Sequence, residues 1–210
     1  MWDSTGARVV VVGACRGFSG TISFGRNPSV SGDILLGPSG SYSGTSPTPV
    51  RLTQDLSFPA TENPPFIATG SLSVSGTVHI TGGGTLVYTS IVIGNNSNLI
   101  FDQPTTVYVL SDITFSQSGT IASASGKPAD LRIRVIGSPT SVVGGAGANN
   151  VTVTAQIYAP NSDFRVQNNG EIRGTALFRS MSAANGLSLY YDITSPGIAG
   201  RTGSGIAIVQ

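Results

Sequence analysis

The chain has 210 residues, a net charge of +1 and only 10% charged residues, against about 25% in ordinary soluble domains. Its 28 Gly and 12 Pro, with Ser and Thr adding roughly another quarter, leave little of the Ala, Glu and Lys that long helices need. A hydrophobic content of 39% at so low a charge excludes a disordered chain, and no basic stripe marks a nucleic-acid surface.

Cys15 is the one cysteine, so neither an intrachain disulfide nor a Cys-rich metal site can form, and it reads as a small buried hydrophobe. No apolar run reaches the ~20 residues that a bilayer-spanning helix requires, and Met1-Trp2-Asp3 is not the basic start of a signal peptide. With Lys127 as the single lysine, solubility rests on hydroxyls and amides, a composition common in exported proteins.

The predicted elements are short strands. Arg8 to Val12 is a high-propensity β run, and Ile22/Phe24, Val30 and Ile34/Leu36 follow it. Residues 37–69 are rich in Pro and Ser. They read as an excursion that leaves and rejoins the body of the fold, because proline cannot donate to a strand ladder. From Gly70 a hydrophobic-x-hydrophobic pair recurs: Leu72/Val74, Val78/Ile80, Leu86/Tyr88, Ile91/Ile93, Leu99/Phe101, Val107/Val109 and Ile113/Phe115, with Ile121 next. First members stand 6, 8, 5, 8, 8, 6 and 8 residues apart. Within a pair both side chains point to one face, and the Gly- and Asn-rich spacers can turn sharp corners.

Ile91 to Ile113 and Leu99 to Ile121 each span 22 residues, three spacings together. Beyond Lys127 the rhythm is looser: Leu131/Ile133/Val135, Val142, Val151/Val153, Ile157, Phe164/Val166, Ile172 and Leu187/Leu189. Repetition at this period marks a solenoid, whose coils bury their apolar faces by stacking. The expected fold is all-β, a right-handed parallel β-helix with about three short strands and 22 residues per coil. An antiparallel β-sandwich is the alternative. One domain covers 1–210: first coils in 1–36, the excursion in 37–69, the main coils in 70–192 and a C-terminal tail in 193–210.

Both termini are apolar strands. Val9, Val10, Val11 and Val12 at one end, and Ile206, Ile208 and Val209 at the other, either cap their own rod or pair with a neighbouring subunit.

Little of the sequence carries chemistry. His79, the only histidine, has outward parity between Val78 and Ile80, so no zinc site or Ser-His-Asp triad is expected. The carboxylates are scattered singly, and Asp163/Arg165 and Glu171/Arg173 read as exposed ion pairs. Gly82-Gly83-Gly84 and Gly144-Gly145-Ala146-Gly147 lack the aspartates of a calcium-binding nonapeptide, and Thr152-Val153-Thr154 is the only strict Thr-x-Thr rung of an ice-binding ladder. No catalytic, metal-binding or cofactor-binding residue is assigned.

Three stretches resemble a known family: Gln156-Ile-Tyr-Ala-Pro-Asn-Ser-Asp163, Val166-Gln-Asn-Asn-Gly-Glu-Ile-Arg-Gly-Thr-Ala176 and Leu189-Tyr-Tyr-Asp192. They are similar to the bacterial exported β-solenoid domain that follows PilX-type pilus-assembly leaders, with its YAPN step, G-x-(I/F)-x-G step and closing YD. Asp3-Ser4-Thr5-Gly6 resembles the Ser-Thr-Gly after those leaders, and Leu56-Ser57-Phe58-Pro59 to Pro65 resembles their proline-containing link. The leader helix itself is missing from this chain. The resemblance implies a bacterial β-solenoid and supplies no catalytic residues.

The expectation is therefore a non-enzymatic, exported structural protein at the cell surface or outside the cell. Its partners would be copies of itself or other appendage subunits, with a polysaccharide as a further partner and neither nucleic acid nor a transmembrane segment involved. A carbohydrate-binding or carbohydrate-cleaving β-helix is the alternative, and an ice-binding surface the third.

Overall fold

A computed structural model describes residues 48–51, 53 and 61–190 in full, together with the backbone of five further strands. The elements are β1 (Val9–Gly13), β2 (Thr21–Ser23), β3 (Ile34–Leu36), β4 (Ser41–Ser43), β5 (Val50–Arg51), β6 (Leu72–Val74), β7 (Thr77–Ile80), β8 (Gly84–Tyr88) and β9 (Ile91–Ile93). Then come β10 (Ser97–Phe101), β11 (Thr105–Val109), β12 (Ile113–Phe115), β13 (Gly119–Ser123), a 3-10 turn at Pro128–Asp130, β14 (Leu131–Val135), β15 (Val142–Gly144), β16 (Asn149–Tyr190) and β17 (Gly205–Val209). β16 is extended backbone that rounds several corners.

Every strand pairing among the described residues is parallel, which makes the fold a parallel β-solenoid and removes the sandwich alternative. About four coils of roughly 22 residues stack on one another. The first face is the ladder β6-β9-β12-β15 and Asp163–Arg165 of β16. The second is β7-β10-β13 and residues 151–154. The third is β8-β11-β14 and residues 156–158.

The inward pairs build the core. Ile91, Ile93, Leu99, Phe101, Val107, Val109, Ile113, Phe115 and Ile121 are all buried, as are Leu131, Ile133 and Val135 in the next rung. Each such side chain contributes about 1.5–3 kcal/mol by leaving water. One inward position differs from the sequence reading: Val143, not Val142, faces the core and pairs with Ile113. The coil between them spans 30 residues at Asp112–Val142. It is lengthened by the 3-10 turn and by residues 136–141, so the 22-residue count slips there.

The third face is buried on both sides. Val87, Tyr108, Tyr158 and Leu177 have outward parity yet are buried. Part of the returning chain crosses this face from the third rung to the first: Glu62 pairs with Arg134 at 3.4 Å, and the Thr69 backbone N–H donates to the Val87 carbonyl at 3.0 Å. The excursion thus rejoins the rod along its third face, while β4 and β5 show that it also contains strands.

The terminal strands pair within the chain. β17 joins Ala176–Phe178 on one side and β1 on the other, and β3 and β5 continue the same ladder. Val9, Val10, Val11 and Val12 stand opposite Gly205, Ile206, Ala207 and Ile208, and Phe178 opposite Val209. The N-terminal strands therefore stack beyond the C-terminal one.

Candidate functional site

Three outer features of the rod combine polar groups in ways a bare scaffold does not require. The first is the open end at β6 and β7. The Gly76 and Ile80 carbonyls accept from the Asn98 and Asp102 N–H groups of the second coil. Alternate residues in a strand face opposite ways, so Thr77 and His79 turn their N–H and C=O outward. No described strand lies on that side of β6 or β7. On β8, by contrast, Thr69 and Gly70 close the edge through Val87 and Thr89. Inside this end coil Leu72, Val78, Ile80 and Leu86 are only partly buried. The edge carries Ser73, Ser75, Thr77 and His79, without the Lys, Pro or bulge that usually blunts an exposed edge.

The second feature is an amide ladder at the corner between the first and second faces. Asn168 donates to Asn149 and accepts from Asn185, while Asn169 donates to Asn150. The chain has three Asn-Asn dipeptides, and the second residue of each, Asn96, Asn150 or Asn169, holds a left-handed φ of 48–50°. Asn adopts this conformation more readily than other non-Gly residues. Asn168-Asn169-Gly170 turns a corner, and the repeated dipeptide was a sequence signal for the Asn149–Asn150 and Asn168–Asn169 rungs, though not for Asn185.

The third feature is a charged turn in β16. Asp163 was expected to form an exposed pair with Arg165; instead its side chain is 5% exposed and anchors a network. Arg165 donates to one carboxylate oxygen at 2.5 Å, and Arg179 (2.9 Å) and Ser180 (2.6 Å) donate to the other. Burial alone would raise the Asp163 pKa, but the hydrogen bonds from Ser180, Arg165 and Arg179 and the charge of Arg179 override it, holding the group below the usual carboxylate range. Its outward parity holds, with the core residue Phe164 beside it, but Arg179 and Ser180 fold over it and cover it. Glu171 and Arg173 do form the outward pair expected, with the Arg173 guanidinium 5.4 Å from the Tyr190 ring centroid.

His79 points outward as expected and bonds Asp102 at 2.7 Å. The Asp112 carboxylate accepts from the Val142 N–H. Among the described residues no three His, Cys, Asp or Glu converge on a metal position. Of the Thr-x-Thr rung, Thr154 is buried, so it offers one outward threonine, not two. Cys15, Tyr191, Asp192 and the side chains of Val9–Val12, Ile206, Ile208 and Val209 lie outside the described residues.

No helix among the described residues is long and apolar enough to cross a membrane. A family model described as "Domain of unknown function (DUF7305)" matches residues 39–195. No curated protein and no solved structure matches the chain.

Proposed function

The chain belongs to the DUF7305 family, and we propose that it is a non-enzymatic structural subunit, exported by a bacterium and assembled end to end into a cell-surface appendage or extracellular filament. The observation that carries this reading is the open first-coil edge, with outward backbone groups at Thr77 and His79 and a half-covered apolar interior behind them. A parallel ladder keeps one strand polarity from end to end, so the lower edge of one copy fits the upper edge of another without reversal. Such head-to-tail contacts do not close on themselves and generate filaments.

Terminal-strand exchange is the other route to a filament. A neighbour would supply its Gly205–Val209 strand to Val9–Val12, but it would first have to undo a pairing made within the chain. Edge-to-edge stacking of coils carries no such cost. The scarcity of free ionisable groups supports a non-enzymatic role, since Asp163 and Glu171 are both engaged by arginine.

Electron microscopy and light scattering of the purified protein across a concentration series test the reading. Rods that lengthen with concentration are expected. Ser73→Lys with Thr77→Lys should stop growth while leaving the thermal melt of the monomer unchanged. A wild-type protein that stays a monodisperse monomer at every concentration would overturn the proposal.

A further inference from the structure

On its first and second faces the 163–190 turn is more charged than the rungs below it, whose outward arginines Arg132 and Arg134 stand on the third face. On the first face the earlier coils present Ser73, Val92 and Thr114 outward, and on the second Thr77, Asn98, Thr120 and Thr152. Above them the alternate residues Arg165, Gln167, Asn169, Glu171 and Arg173 are exposed or half-exposed. Three arginines, Arg165, Arg173 and Arg179, stand against two carboxylates, Asp163 and Glu171, so this turn carries a surplus positive charge in a chain otherwise poor in charge.

Each arginine is held in place. Arg165 and Arg179 share the buried Asp163, and Arg173 is gripped by Glu171 and lies against Tyr190. Yet the Arg165, Arg173 and Arg179 side chains remain 55%, 44% and 37% exposed. Arg165 uses one terminal nitrogen on Asp163, and its other donors are not engaged there. Tyr190 is 54% exposed. A fixed guanidinium and a stacked phenol lose little freedom when a ligand arrives.

We propose that this turn binds an acidic polysaccharide. Tyr190, backed by Arg173, offers a flat platform for the C–H face of a pyranose ring. Beyond the ladder bonds that they donate, the Asn169 and Asn185 amides each have a second N–H and an Oδ1 acceptor, which suit adjacent hydroxyls. Arg165 takes a ring carboxylate through its spare N–H groups. Arg165 stands before and Arg173 after the corner at Asn168–Gly170, eight residue steps apart, so a polysaccharide that reaches both bends round that corner. It is offered as a binding surface, since both carboxylates of the turn, Asp163 and Glu171, are already engaged by arginines. This goes beyond the structural role proposed above and does not depend on it.

Affinity electrophoresis of the full chain in gels containing alginate, dextran or polyaspartate tests the proposal. Alginate is expected to retard the protein, dextran and polyaspartate are not. Tyr190→Ala and Arg165→Ala should each weaken the alginate effect at least fivefold, while Tyr190→Phe, which keeps the ring, retains it. Absence of retardation by alginate, equal retardation by polyaspartate, or an unchanged Tyr190→Ala variant would each overturn it. Filament length, followed in parallel, separates this failure from a failure of assembly.

Discussion

Arg179 reaches back 16 residues to the carboxylate of Asp163 and closes over it, tying the last complete turn of the solenoid to its own start. Removing the buried member loses its charge-assisted hydrogen bonds, while the part-exposed arginines keep their contact with water. Asp163→Asn should therefore destabilise the protein by about 1.5–3 kcal/mol at neutral pH, read from the midpoint of urea unfolding.

The same carboxylate sets an acid response. Its folded pKa is depressed, so its contribution is fully present above the unfolded value of about 3.9 and is lost as pH falls through the folded value. Urea midpoints measured from pH 7 down to pH 3 should decline below about pH 4. Asp163→Asn should decline less over that interval. An equal decline in both proteins would place the acid sensitivity elsewhere.

Two glycines test how closely the rungs approach. Gly144 has φ +112°, and a Cβ there would lie 2.0 Å from the Arg165 carbonyl oxygen. Gly126 has φ +70° with nothing within 4 Å of the same atom. Gly126→Ala should cost only the left-handed backbone penalty of about 1–2 kcal/mol. Gly144→Ala adds a backbone clash that no rotamer relieves, and should cost more than about 4 kcal/mol or abolish folding. Equal thermal shifts for the two variants would contradict the close approach.

Core truncations should report the open end. Ile121 is 1% exposed in the middle of the second face, whereas Ile80 in the end coil is only partly buried. Ile121→Ala is expected to cost about 2–5 kcal/mol, and Ile80→Ala less than about 1.5 kcal/mol in dilute monomer. If copies stack on that end, the Ile80→Ala penalty should grow with protein concentration while the Ile121→Ala penalty stays constant. Differential scanning fluorimetry over a concentration series distinguishes the two.

The corner ladder makes opposite demands on neighbouring asparagines. Asn169 needs a left-handed backbone, so Asn169→Gly should be nearly neutral and Asn169→Val should cost about 2 kcal/mol or more. Asn168 needs its amide, which both donates and accepts along the ladder; Asn168→Ala should cost about 1–2 kcal/mol. Thermal melts of the three variants test both demands.

How much of this was legible depended on whether a residue's environment came from its own strand. The inward pairs from Leu72 to Ile121 could be read from alternation alone, because period two fixes which side faces the axis. Val143 was missed since its parity depends on the length of a loop, and loops carry no periodic signal. Tyr108 lies between the inward Val107 and Val109 and Tyr158 follows the inward Ile157, so alternation turns both outward, yet they are buried on a face that the returning chain crosses. The clue was present in Leu86-Val87-Tyr88 and Val107-Tyr108-Val109, runs apolar on both sides as in sheets covered on both faces. Asp163 is the converse case: Arg179 and Ser180 reach it from the end of one further turn, a closure that no local pattern announces.

The pairing of Val9 with Gly205 has a bearing on how the molecule is made. Val9 leaves the ribosome 196 residues ahead of its partner Gly205. At about 5–20 residues per second that interval is on the order of ten to forty seconds. Throughout it, β1 can pair with β3 through Val11–Gly13 and Ile34–Leu36, while its other edge waits for Gly205–Ile208. The middle coils can wind as they emerge, but the ladder that joins β1 to them through β17 is completed only once Gly205–Val209 has been made.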